Sequence, residues 1–123
     1  MLIKLDHLQL AMPKGEEAKA RAFYGETLGL QELKKPEALR ARGGCWFAGP
    51  DLDIHLGVEE AFQPARKAHP AFQVDNLDTL AARLSANKVD ITWDHALASK
   101  RFYTSDPFGN RLEFLERRMK PLE

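Results

Sequence analysis

The chain repeats itself. Asp6-His7-Leu8-Gln9-Leu10-Ala11 is a short apolar run led by a histidine, followed by Pro13-Lys14-Gly15 and a helix-forming stretch. His69-Pro70-Ala71-Phe72-Gln73-Val74 is a second such run, followed by an Asp75-Asn76 turn and another helical stretch. Sixty-two positions separate His7 from His69, half of a 123-residue chain. An internal repeat on this scale restricts the fold to two copies of one supersecondary unit. A single small unit would leave one face of its sheet uncovered, so the two copies are expected to pair.

Hydrophobic periodicity defines the unit. Residues 2–11 alternate, with a slip near Asp6-His7, and predict a first strand. If it is regular beyond the slip, His7, Gln9 and Ala11 share one face and Leu8 and Leu10 the other. Residues 13–28 predict a helix ended by Gly29, with Ala18, Ala22, Phe23 and the Glu26-Thr27 region as its packed stripe. Strands are predicted over 30–34, 45–48 and 52–58, with 36–44 a loop or strand edge. In the last strand Leu52, Ile54, Leu56 and Val58 face one way and Asp53, His55 and Gly57 the other. The second half repeats the order. Residues 69–74 form a strand, and Asn76 or Asp78 caps a helix to about Asn87 with Leu77, Leu80, Ala81 and Leu84 as its stripe. Strands follow over 89–93, 101–105 and 111–116. Asp106-Pro107-Phe108-Gly109-Asn110 forms the last turn, and a solvated tail begins at Arg117. The reading is α+β: two βαβββ modules, 1–60 and 67–118, forming a curved mixed-sheet cup with helices outside, within one domain of residues 1–123.

Composition narrows the functions. Lys plus Arg and Asp plus Glu both number 18, so no charge excess favours nucleic acid or an anionic membrane. No apolar stretch approaches the ~20 residues needed to cross a bilayer. The N-terminus lacks the apolar run of a secretion signal, and the single Cys45 cannot form an intrachain disulfide. A cytoplasmic protein is expected.

Four residues carry the chemistry. His7 and His69 lie at matching places on the first strand of each module. His55 and Glu113, 58 positions apart, lie at matching places on the last strand. Imidazole and carboxylate suit zinc, nickel, cobalt, manganese and non-haem iron. Any one of the four alone is more often structural, and Glu113 alone more often pairs with Arg101 or Arg111; the repeat-matched placement of all four raises the metal reading. Trp46, Trp93, Phe47, Phe102 and Tyr103 read first as packing. Arg101, Lys100 and Arg111 read first as solvated charges that could also bind an anion. Tyr24 reads as packing, Cys45 as a small buried apolar residue, and His95 has no repeat partner.

Longer motifs add a resemblance. Asp6-His7-Leu8-Gln9-Leu10, Phe23-Tyr24-Gly25-Glu26-Thr27-Leu28-Gly29-Leu30, Val74-Asp75-Asn76-Leu77 and Asp106-Pro107-Phe108-Gly109-Asn110-Arg111-Leu112-Glu113-Phe114 span nearly the whole chain. Together they resemble the vicinal oxygen chelate superfamily, which includes lactoylglutathione lyases, extradiol dioxygenases, fosfomycin-modifying enzymes and bleomycin-binding resistance proteins. The resemblance implies a divalent metal held by His7, His55, His69 and Glu113, chelating two adjacent oxygens of a small substrate. It departs from the glyoxalase-type lyases in placing His55 where a carboxylate is usual. His55 is then a ligand, a neighbour of the ligands or a base, and Glu113 and His55 are the catalytic candidates. The implied activity is that of a metal-dependent lyase or dioxygenase; the alternative is a metal-independent protein that sequesters a drug or metabolite. A homodimer is expected, with no nucleic-acid or membrane partner.

Overall fold

The computed structural model describes residues 1–117. The chain divides into two compact units, one of residues 1–64 and one from Ala65 onward. Each is a βαβββ unit with a four-stranded mixed sheet, as the repeat predicts.

Unit one contains β1 (Leu8–Met12), α1 (Glu17–Ala20), β2 (Gln31–Leu33), β3 (Cys45–Gly49) and β4 (Leu52–Val58). Its strand order is β1-β4-β3-β2, with β1 parallel to β4 and the other pairs antiparallel. Unit two contains β5 (Ala71–Val74), α2 (Leu77–Ala86), β6 (Thr92–Asp94), β7 (Arg101–Ser105) and β8 (Arg111–Glu116), in the order β5-β8-β7-β6. Again the first and last strands are parallel and the others antiparallel. A parallel pair needs a long crossover. In both units the helix and two middle strands supply it.

Several element ends differ from the sequence reading. β1 starts at Leu8 rather than Leu2; with Leu8 opposite Ile54 and β4 beginning at Leu52, residues 2–5 have no partner in β4. His7 therefore precedes the first strand instead of lying on it. β5 starts at Ala71 rather than His69, since Pro70 has no N–H to give the ladder. β6 begins at Thr92 rather than Val89, because the Val89 N–H closes α2 by donating to Leu84 O at 2.9 Å. The first helix starts at Glu17 rather than Pro13 and continues over Arg21–Thr27 in wider turns, where Leu28 N–H reaches back five residues to Phe23 O at 2.9 Å. That widening rotates the buried stripe to Ala20, Phe23, Tyr24 and Thr27, and leaves Ala18 and Ala22 exposed. The segment expected as loop or strand edge holds tight three-residue turns over Glu37–Arg42.

Helix α2 follows its sequence signals. The Asn76 side chain caps it by accepting from Thr79 N–H at 3.1 Å, and Leu77, Ala81 and Leu84 are buried. Each sheet packs an apolar face. Leu10, Met12, Phe47, Ile54 and Leu56 are buried in unit one, and Phe102, Leu112 and Phe114 in unit two. The Asp106 turn is tied from within: Asp106 Oδ1 accepts from the N–H groups of Phe108 and Asn110, both at 2.9 Å, and Asn110 Oδ1 accepts from Ala65 N–H at 3.0 Å. From residue 118 on, the expected tail lies outside the described residues. Among the described residues no helix is long and apolar enough to cross a membrane.

Gly44, at the entry to β3, has φ +82°, and a Cβ there would stand 2.0 Å from Leu56 O in the adjacent strand. Gly15 has the same φ of +82° but nothing within 4 Å. Gly15→Ala should therefore cost only the left-handed backbone strain, about 1 kcal/mol. Gly44→Ala adds a clash with backbone and should cost at least about 3 kcal/mol. Urea unfolding of both variants checks this; equal midpoints would contradict the clash.

Candidate functional site

Strand register places the four candidate residues. In unit one Gln9 is the Cα partner of His55, and His7 stands two residues before Gln9. In unit two Ala71 is the Cα partner of Glu113, and His69 stands two residues before Ala71. Side chains two apart along extended chain point the same way. Each histidine is thus delivered beside the candidate residue of its unit's last strand.

In unit one the result is a stack. The His7 and His55 rings lie 4.2 Å apart at 20°, and Trp46, the partner of His55 across β3, covers its other face at 4.0 Å and 5°. His55 is held by its ring faces. Burial, and then the nearby His7, hold its pKa below the ordinary value of 6.5, so it stands as neutral imidazole at pH 7. On the same face Gly57 makes room for Gln9, whose Nε2 would lie 2.5 Å from a Cβ at that position.

In unit two the result is a charged cluster. Glu113 is buried on a central strand, its side chain 7% exposed. Its Oε1 lies 2.9 Å from His69 Nε2, and its Oε2 accepts from Arg101 Nη1 at 2.8 Å. Burying a carboxylate is costly unless it is paired, and Arg101 supplies the pair. Tyr103, the Cα partner of Glu113, meets the His69 ring edge to face at 5.6 Å. Burial and the Glu113 charge push its pKa up, so it remains a phenol. The sequence placed Glu113 opposite a helix-packed face; the structure adds that both faces of β8 are buried, from Leu112 through Leu115.

Both histidines are oriented alike. His69 Nδ1 donates to Lys67 O at 2.8 Å, and His7 Nδ1 lies 2.9 Å from Asp6 Oδ2. A backbone carbonyl only accepts, so the His69 proton sits on Nδ1 and neutral His69 presents a lone pair at Nε2. A carboxylate on Nδ1 fixes His7 in the same tautomer. Metal-ligating histidines are oriented in this way by a carbonyl or carboxylate behind the ring. In unit two that lone pair faces Glu113 Oε1, and two lone pairs at 2.9 Å repel unless a cation lies between them. A proton would serve. So would a metal, since donors about 2.1 Å from an ion and at a right angle to each other stand about 3 Å apart. The donor chemistry of each pair fits a divalent ion. Among the described residues no group of three or more His, Cys, Asp or Glu side chains is gathered as a metal site.

The other residues fall outside this chemistry. Cys45 is buried, and burial pushes its thiol up to about 11, too high for thiolate chemistry. Tyr24, Phe47 and Phe102 are core residues, and Trp93 packs on Phe102. Trp46 and Asp6 were missed as neighbours of the candidates; the cross-strand position of Trp46 relative to His55 was readable only once the register was known.

Comparison with known proteins agrees with the architecture. Residues 4–114 match the family model described as the Glyoxalase/Bleomycin resistance protein/Dioxygenase superfamily, and the chain belongs to that family. It is 50% identical to a glyoxalase family protein of Bacillus anthracis, covering 96% of this chain and 98% of that one, with a TM-score of 0.92. It shares its fold with the fosfomycin resistance protein FosX of Listeria monocytogenes, at 18% identity, 97% coverage of both chains and a TM-score of 0.78. The same holds for a glyoxalase/dioxygenase of Nostoc punctiforme, at 23% identity, 89% coverage of both chains and a TM-score of 0.70. No functionally curated protein matches the chain.

The His55 environment has a measurable consequence in metal-free protein. Its folded pKa lies below the unfolded value, so the unfolded chain binds the proton more readily. The penalty for protonation is then complete below the folded pKa and gone above about 6.5. Stability should rise with pH across that window, and His55→Gln should flatten the rise. Denaturant unfolding at a series of pH values checks this; an unchanged slope in the variant would contradict it.

Proposed function

We propose that this chain is a divalent-metal-dependent enzyme acting on a small oxygenated substrate, of lyase or dioxygenase type. His7, His69 and Glu113 serve as protein ligands, and His55 as a proton acceptor or fourth ligand. The observation that carries the reading is the matched orientation of His7 and His69: each has Nδ1 tied from behind, to Asp6 Oδ2 and to Lys67 O, and in His69 this turns Nε2 toward Glu113 Oε1.

When bound, the ion would supply Lewis acidity to two adjacent substrate oxygens. The chain's own residues do the rest. Arg101 holds Glu113 in place through Oε2, leaving Oε1 for the ion. His55, neutral at pH 7, can take a proton from the substrate. Its stacking between His7 and Trp46 fixes the ring plane in which that proton is received.

Untagged protein should carry about one transition ion per chain by elemental mass spectrometry. His7→Ala with Glu113→Ala should abolish that content while leaving the circular dichroism spectrum unchanged. No metal after incubation with excess ions would sink the proposal and favour the metal-independent binding protein.

We also propose a homodimer built with the N-terminal arm. Met1, Leu2, Ile3 and Leu5 precede β1 and are exposed, at 76% or more. Ile3 and Leu5 alternate with Lys4 and Asp6, the pattern of a strand with one apolar face, and they continue into β1, an edge strand. Docking on a second copy would bury side chains worth about 2 kcal/mol each. Ile3→Asp with Leu5→Asp should convert dimer to monomer in sedimentation; a monomeric parent protein would overturn this.

A further inference from the structure

The two units are repeats, so the places where they differ mark what one unit does alone. By register, Trp46 and Tyr103 correspond, since each is the cross-strand partner of its unit's last-strand candidate, His55 or Glu113. Two residues before that candidate stands Asp53 in unit one and Arg111 in unit two. Two residues before the aromatic stands Gly44 in unit one and Arg101 in unit two. Both arginines therefore belong to unit two, with no counterpart in unit one.

The two arginines are not equivalent. Arg101 is consumed by Glu113, with Nη1 at 2.8 Å from Oε2 and its side chain 13% exposed. Arg111 has no acidic partner among the described residues. Its guanidinium lies over the Tyr103 ring, 4.2 Å from the centroid. Strand alternation puts Arg111 on the same face as Glu113, one residue pair along β8. Ser105 is its cross-strand partner and brings a hydroxyl to the same end of the face. The Tyr103 ring holds the guanidinium on this face, and among the described residues no acidic side chain occupies its N–H fork. The planar guanidinium fork matches an oxyanion with two parallel hydrogen bonds.

We propose that Arg111, stacked on Tyr103, is an oxyanion-binding group that makes the substrate of this site an anionic molecule, bearing a carboxylate or a phosphonate beside its chelating oxygens. This rests on the proposed function for the word substrate, while the anion site itself stands without metal. Arg101 does not share the role, because Glu113 occupies it.

The test uses the full chain as purified, with metal content measured on the same sample. Acetate and methylphosphonate are titrated separately while the arginine Nε–Hε signals are followed by NMR. The Arg111 signal should shift and saturate with one or both probes, whereas the Arg101 signal should not saturate with either. The preferred probe assigns carboxylate or phosphonate. Arg111→Gln should weaken binding at least about tenfold, Arg111→Lys less, and Tyr103→Leu should weaken it with Arg111 still present. No saturable Arg111 shift with either probe overturns the proposal, as does equal binding to the parent protein and a folded Arg111→Gln variant. A metal-bearing protein that ignores both anions removes the anion site and leaves the enzyme reading intact. A metal-free protein that binds them does the reverse.

Discussion

The parallel pairing of first and last strands is the constraint on which the rest depends. It fixes Gln9 beside His55 and Ala71 beside Glu113. The histidines two residues upstream then reach their partners without any special loop. The helix and the middle strands in each unit are the crossover that a parallel pair demands. Their sequences differ widely between the units, while the outcome at the first and last strands is the same. The placement of these four residues is thus tied to a register rather than to a local motif.

Around that register the units diverge in electrostatics. Unit one gathers aromatic rings: His7, His55 and Trp46 form a stack that keeps His55 uncharged at neutral pH. Unit two gathers charge: Glu113 sits between His69 and Arg101, with Arg111 nearby on Tyr103. One half offers a neutral imidazole between aromatic rings, and the other a buried carboxylate paired with Arg101.

Much of this was legible in the sequence because it follows from period-two alternation. β4, β7 and β8 have the bounds read from the sequence, and α2 has its Asn76 cap and its Leu77, Ala81 and Leu84 stripe. What was illegible depends on tertiary partners. How far β1 can reach back is limited by where β4 begins, and the stripe of the first helix is set by a widening that helical periodicity does not encode. That Glu113 pairs with Arg101 rather than Arg111, both open from the sequence, needed the register of β7 against β8. The matching of His7 with His69 and of His55 with Glu113 survived because a repeat offset counts residues and ignores loop conformation.

His7 and His69 both lie just ahead of their strands, outside the hydrogen-bonded ladder. His55 and Glu113 lie within it. A residue in the ladder cannot shift without breaking backbone pairing on both sides, whereas one ahead of it moves with a few torsions. Each pair therefore joins an anchored group to a compliant one. Under the proposed metal reading, ions of different radius would be accommodated by the compliant half while the sheet stays still. A scaffold so divided can change its chemistry by altering what stands before the strand, leaving its folding instructions intact.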